Sequence, residues 1–196
     1  MTERQIPFSA PMVRAVIGRY KRQTRRVVRG QALDWLNSAN FAPAYVALPS
    51  NGFSPYGYAG DHLWVREAWR TTGDDGRCDD MPPRDLQPHR VWYEADGNAP
   101  ADECVGKYRP SMFMPRWASR ITLAVTGVRI ERLQSITDDD ALAEGIFPPG
   151  MECLIGTPRD GYRNLWNSLN AARGYSWDTN PWVWVVDFNR VGGTSE

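Results

Sequence analysis

The chain has 196 residues, with 23 lysine and arginine side chains balanced by 23 aspartates and glutamates. That length fits one domain with room for insertions, and a core that needs no staples. Zero net charge excludes a global field drawing the protein to nucleic acid, so any basic face must be local.

The three cysteines, Cys78, Cys104 and Cys153, are widely spaced and contain no Cys-x-x-Cys pair. This argues against a disulfide framework or a zinc site and fits a reducing cytoplasm. No stretch approaches the ~20 apolar residues of a membrane span, and the N-terminus has no apolar signal run. Nine tryptophans suit either a packed small sheet or a groove that stacks bases.

Taken in order, Ile6-Pro7-Phe8 reads as a first strand. Ser9 is placed to cap a helix with Pro11 in its first turn, and Met12, Val13, Val16 and Ile17 supply one apolar face. Gly18 is a plausible stop. Then comes Gly18-Arg-Tyr-Lys-Arg-Gln-Thr-Arg-Arg-Val-Val-Arg29, the most basic part of the chain. Among its arginines stands Lys21, one of only two lysines in the sequence. A lysine, unlike an arginine, becomes a base once burial and cationic neighbours lower its pKa. Thr24, three residues on, adds the hydroxyl that such an amine can activate. The plain alternative is a basic turn facing phosphate or solvent. Thr24 to Val28 looks extended, which puts Lys21 and Thr24 on a helix-to-strand connection.

Ala32-Leu33-Asp34-Trp35-Leu36 fits a helical turn or a strand, Tyr45 to Leu48 reads as a strand, and residues 50–60 as a Gly/Pro-rich loop. His62 to Glu67 is a strand. It offers His62 as a structural or basic residue, and Glu67 as a site carboxylate or a partner for arginine. Residues 70–118 read as a long insertion with one strand at Val91 to Glu94. His89 with Cys78 and Cys104 matches no metal-ligand spacing.

Arg120 to Leu133 carries the longest strand pattern, and Gly127 within it suggests a bulge or a barrel bend. Thr137 and Asp140 form a capping box for a helix ending at Glu144-Gly145. A carboxylate at that end is unfavourable for the helix dipole, which invites a cation such as Lys21 or a solvated surface role. After a loop over 147–158, Gly161 to Arg173 reads as a helix with Tyr162, Leu165, Trp166 and Leu169 on one face. Trp182 to Phe188 is an apolar final strand, central and buried. The order predicts an α+β fold, a small bent sheet or barrel with helices at its rim.

Four places resemble the ASCH family of the PUA-like superfamily of small β-barrels. They are the helix leading into Lys21-Arg22-Gln23-Thr24-Arg25; Gly60-Asp61-His62-Leu63-Trp64-Val65; the Ile136-Thr137 helix ending in Glu144-Gly145-Ile146; and Val185-Val186-Asp187-Phe188. The whole also looks like ASCH-type proteins encoded by phages and prophages. The resemblance implies one PUA-like domain over 1–191, with insertions at about 29–58, 70–118 and 147–160 and a disordered tail over 192–196. Small bacterial members of that family remove the acetyl group of N4-acetylcytidine. By resemblance, Lys21, Thr24 and Glu144 would be catalytic. On the chemistry alone, Arg25 or Arg26 would steady an oxyanion or a phosphate, and Trp64 and Glu67 are the further candidates for binding substrate. No cofactor or metal is implied, and the expected partner is a modified nucleoside or nucleic acid rather than a membrane. Here Gly18 stands one residue early and Tyr20 replaces a common arginine. Binding of RNA or a modified base without catalysis, and ribonuclease activity, are the competing expectations.

Overall fold

The computed structural model describes residues 1–38, 40–72, 79–100, 105–148 and 156–191. Two sheets and five α-helices make up its regular structure, joined by several 3-10 turns; the fold is α+β. The strands are β1 (Glu3–Pro7), β2 (Gln23–Val27), β3 (His62–Arg66), β4 (Trp69–Thr71), β5 (Val91–Tyr93), β6 (Thr122–Arg132) and β7 (Trp182–Val191). The helices are α1 (Ala10–Ile17), α2 (Gln31–Asn37), α3 (Pro43–Val46), α4 (Asp138–Ala143) and α5 (Pro158–Asn170).

The larger sheet runs β1-β3-β6-β7-β2, with β1 parallel to β3 and every other neighbouring pair antiparallel. No backbone pairing joins β1 to β2 among the described residues, so the expected barrel is not closed by hydrogen bonds. β7 sits between β6 and β2, and its residues alternate between two cores. Trp184, Val186 and Phe188 pack with α1, α2, β1 and β3 on one face, while Val183 and Val185 pack with α4 and α5 on the other. Burial on both faces explains why this strand reads as a continuous apolar run.

β6 keeps one apolar face through a change of period. The register against β7 shifts between Val125 and Gly127, leaving Thr126 as the extra residue. Leu123 and Val125 precede the shift; Val128 and Ile130 follow it, opposite Val186 and Trp184. The bulge therefore returns the even-numbered apolar residues to the face the odd-numbered ones had occupied.

Several local expectations are corrected. Tyr45 to Leu48 is not a strand: Pro43 opens a helical turn that buries Val46. A run of four apolar residues carries no period by which to tell the two apart. Ala32 to Leu36 belongs to α2. The segment 70–118 carries the expected strand as β5, and its first residues also belong to a strand, β4, which pairs antiparallel with β5 as a second sheet. α5 starts at Pro158 rather than Gly161, because Thr157 and Asp160 form a second capping box. Ser9 occupies the N-cap of α1, but its side chain makes no capping hydrogen bond. Gly18 ends α1 with φ −72°, and the left-handed residue is Arg19 at φ 62°. Glycine at 18 answers to space instead, since a Cβ there would meet the Tyr20 ring at 2.7 Å.

The capping box of Thr137 and Asp140 on α4 is present in both directions. No helix among the described residues is long and apolar enough to cross a membrane. Cys78, Cys104, Cys153 and the 192–196 tail lie outside the described residues.

Candidate active site

The turn between α1 and β2 is held by backbone bonds at both ends. The Lys21 and Tyr20 N–H groups both donate to Ala15 O, wrapping the chain back over the end of α1. Arg22 N–H donates to Ala143 O at 2.8 Å, which ties the turn to the last residue of α4. Gly145 makes that approach possible. It adopts φ 80°, and a Cβ there would stand 2.7 Å from Lys21 Cβ.

This docking aims Lys21 at the C-terminal end of α4. Its Nζ donates to Glu144 Oε2 at 2.9 Å, to the Glu144 main-chain O at 2.7 Å and to Gln23 O at 2.8 Å. Lys21 and Glu144 are each 4% exposed. The cation also satisfies a carbonyl at the negative end of a helix, which offsets the awkward placing of a glutamate there. Burial pulls the Lys21 pKa below its ordinary 10.5; the Glu144 carboxylate opposes that, and the charges of Arg26 and Arg25 reinforce it.

Arg25 lies behind the pair. Its buried guanidinium donates to Asp140 Oδ2 at 2.9 Å and to Gln23 Oε1, and stands 3.5 Å from Glu144 Oε1 and Glu131 Oε2. Gln23 Nε2 then reaches Asp140 Oδ1 and Asp187 Oδ1. Arg25 is thus committed to protein acids that fix Glu144, and is not free to bind an anion. Asp140 is held below the usual carboxylate range: its own burial works the other way, and Arg25, Gln23 and the Thr137 N–H overcome it.

Lys21, Thr24, Arg25, Arg26 and Glu144 all line one cavity of about 860 Å³. Thr24 is buried in β2, paired with Val186. The Arg26 guanidinium lies over the Phe8 ring and donates to Pro7 O at 2.7 Å. Phe8, Phe53, Tyr56, Trp166 and Trp184 supply aromatic wall, and exposed Met112, Leu169 and Arg173 stand at its rim. The cavity can therefore hold a flat ring against aromatic side chains while presenting it to an amine, a hydroxyl and a carboxylate.

Tyr162 is the residue that sequence reasoning assigned only to an apolar helix face. It is fully buried on α5, lines the cavity, and has its phenol pKa pushed well above 10 by burial, with the charge of Glu144 adding to the rise. It stays protonated at any working pH, so its hydroxyl keeps a proton to donate, and Glu144 is the carboxylate it faces. Its helical spacing with Trp166 gave a packing signal and hid the hydroxyl.

Two expected binding residues lie elsewhere. Trp64 projects from β3 on the face away from Leu63 and Val65, with the guanidiniums of Arg66 and Arg116 5.6 and 5.8 Å from its ring centre. Glu67 is buried against Arg120, which holds both its oxygens at 3.0 Å and also grips Asp96. Neither lines the cavity. His62, at the start of β3, also stands apart from it.

No family model matches the chain, and no curated protein matches it. Among solved structures, the crystal structure of an ASCH domain from Lactobacillus crispatus JV V101 is similar over 96% of this chain and 79% of that one, at 10% identity and a TM-score of 0.43.

Proposed function

We propose that the protein is an amidohydrolase that removes an acyl group from N4-acylated cytidine-type nucleosides, on an ASCH-type, PUA-like scaffold. The observation that carries this reading is the meeting of Lys21, Thr24 and Glu144 at one cavity, although more than a hundred residues separate Glu144 from the other two.

Lys21 acts in its neutral form. An ammonium uses all three of its present acceptors; the free amine has a lone pair and must release one of them. That lone pair takes the proton of the Thr24 hydroxyl as Oγ1 attacks the acyl carbonyl. Arg26 is the donor left to steady the oxyanion, since Arg25 is held by acids and the Tyr162 hydroxyl is turned to Glu144. Collapse breaks the C–N bond, and the Lys21 ammonium returns its proton to the departing N4 amine. Water then cleaves the Thr24 ester by the same proton path, releasing a carboxylic acid and restoring the hydroxyl. Glu144 holds the amine in line and sets how readily it gives up its proton.

A second reading rests on a different observation. All three Nζ hydrogens already have fixed acceptors, an arrangement equally suited to a rigid recognition pocket that binds a modified base without reacting.

Mass-spectrometric assay of N4-acetylcytidine and its deoxy analogue, with wild type and Lys21→Ala, separates the two. The hydrolase releases cytidine and acetate, and Lys21→Ala stops this while the near-ultraviolet circular dichroism of the tryptophans persists. Intact substrate with the wild type, together with oligonucleotide binding that falls steeply with salt, establishes the binding module instead.

A further inference from the structure

We infer that the ligand of this cavity carries a phosphate, so that the substrate is a nucleotide unit and not a bare nucleoside. This rests on the reading above for the identity of the base, though not for the phosphate. The basic side chains lining the cavity are Lys21, Arg25, Arg26, Arg29 and Arg173, and the one acidic side chain is Glu144. In a chain with equal numbers of acids and bases, that is a strongly skewed wall.

The inner charges cancel. Lys21 faces Glu144, and Arg25 faces Asp140. The outer charges do not. Among the described residues no ion pair reaches Arg26, Arg29 or Arg173, and the buried Nε of Arg26 has no hydrogen-bond partner.

Their placing suits a phosphate. Arg29 comes from the turn after β2 and Arg173 from the 3-10 turn that continues α5, while Arg26, which shares the Phe8 ring with Lys21, is left to the oxyanion. The two segments lie on the same cavity as the aromatic wall. Arg29 is held over the Tyr175 ring at 5.2 Å, which limits its rotamers while leaving its N–H groups to solvent. A pyrimidine against the aromatic residues, with its exocyclic amine toward Lys21, would direct its sugar outward. The phosphate would then meet guanidiniums, the side chains best shaped to bind it. The terminal phosphate of a free nucleotide and the backbone phosphate of a strand present the same chemistry here.

The test is binding to the intact protein by calorimetry, with cytidine, cytidine 5′-monophosphate and a short single-stranded oligocytidylate as probes. A monophosphate that binds about tenfold tighter than cytidine, with the advantage shrinking as salt rises, supports the site. An advantage seen only for the oligonucleotide assigns the phosphate to a strand. Arg29→Glu and Arg173→Glu are exposed charge reversals, and each should reduce the advantage while leaving cytidine binding unchanged. Equal binding of all three probes, or an advantage untouched by both reversals, overturns the inference.

Ribose 5-phosphate against ribose, read by thermal shift, separates this outcome from that of the hydrolase reading. Protection by the phosphate ester alone supports the phosphate site even where no acylated cytidine is turned over. Its absence, alongside turnover of N4-acetylcytidine, leaves the hydrolase standing and removes the phosphate.

Discussion

A Cβ atom at Gly145 would stand 2.7 Å from Cβ of Lys21 and 2.9 Å from that of Ala15. Glycine at the end of α4 is thus what lets the helix carrying Glu144 touch the turn carrying Lys21. Gly145→Ala meets both this crowding and a left-handed φ, and should cost about 1–3 kcal/mol in urea unfolding. It should also depress turnover more than a surface change of equal stability cost, because the two charges are pushed apart. A Gly145→Ala protein with unchanged stability would mean that the contact is not needed.

The ion pair should be asymmetric. Removing Lys21 leaves Glu144 with Arg25 3.5 Å from its other oxygen, whereas removing the Glu144 carboxylate leaves a buried ammonium facing only carbonyls. Glu144→Leu should therefore cost about 3–5 kcal/mol and Lys21→Met clearly less. The double variant should be more stable than the sum predicts, since neither charge is stranded. Denaturant midpoints of the three proteins check the ordering.

The pH dependence follows from the lowered pKa of Lys21. With the folded value below 10.5, the unfolded chain binds the proton more tightly, so this group makes stability rise with pH between the lowered value and 10.5. In the same window the free amine accumulates, and on the proposed hydrolase mechanism kcat/KM should climb and level off below pH 10.5. Glu144→Gln removes the charge that holds the proton on, and should move the midpoint of that profile to lower pH. A midpoint that stays in place would assign the titration to another group.

Acid should loosen the site through Asp140. Its folded pKa lies below 3.8, so the stability it contributes is present above that value and is lost as pH falls through the folded value. Asp140→Asn should remove about 1–2 kcal/mol at neutral pH, because the charge on Arg25 and the cap on α4 weaken together. It should also flatten the acid limb of the stability curve, measured by thermal unfolding from pH 2 to pH 7.

Thr24 separates covalent from water-mediated attack. The backbone of Thr24 pairs with Val186 whatever side chain it carries, so Thr24→Ala and Thr24→Ser should both fold. Alanine should lower turnover at least about 100-fold and serine should retain most of it. An alanine variant at full rate would leave water as the nucleophile.

Much of this was legible in the sequence, for physical reasons that differ by element. The Thr137–Asp140 box and the bulge at Gly127 are local chemistry: a hydroxyl three residues before a carboxylate, and a glycine inside an apolar alternation. Both are present. The pairing of Lys21 with Glu144 was legible only because a lone lysine among arginines and an acid at a helix end each needed explaining. Arg25 was read as an anion binder because sequence shows its charge and not the three acids packed around it. Tyr162 was hidden because a phenol at helical spacing with Trp166 looks the same whether its hydroxyl faces core or cavity. Trp64 and Glu67 lie on or beside β3, a strand that sends no side chain to the cavity: alternation turned one outward and Arg120 captured the other.

β2, which bears Thr24, is hydrogen-bonded along its length to β7, more than 150 residues downstream. During synthesis the early strand must wait, unpaired and arginine-rich, until the ribosome releases the last one. Such distant partners make folding slow and keep it committed to completion. A chain truncated before Trp182 should therefore not keep a weakened version of the cavity, but lose the cavity altogether.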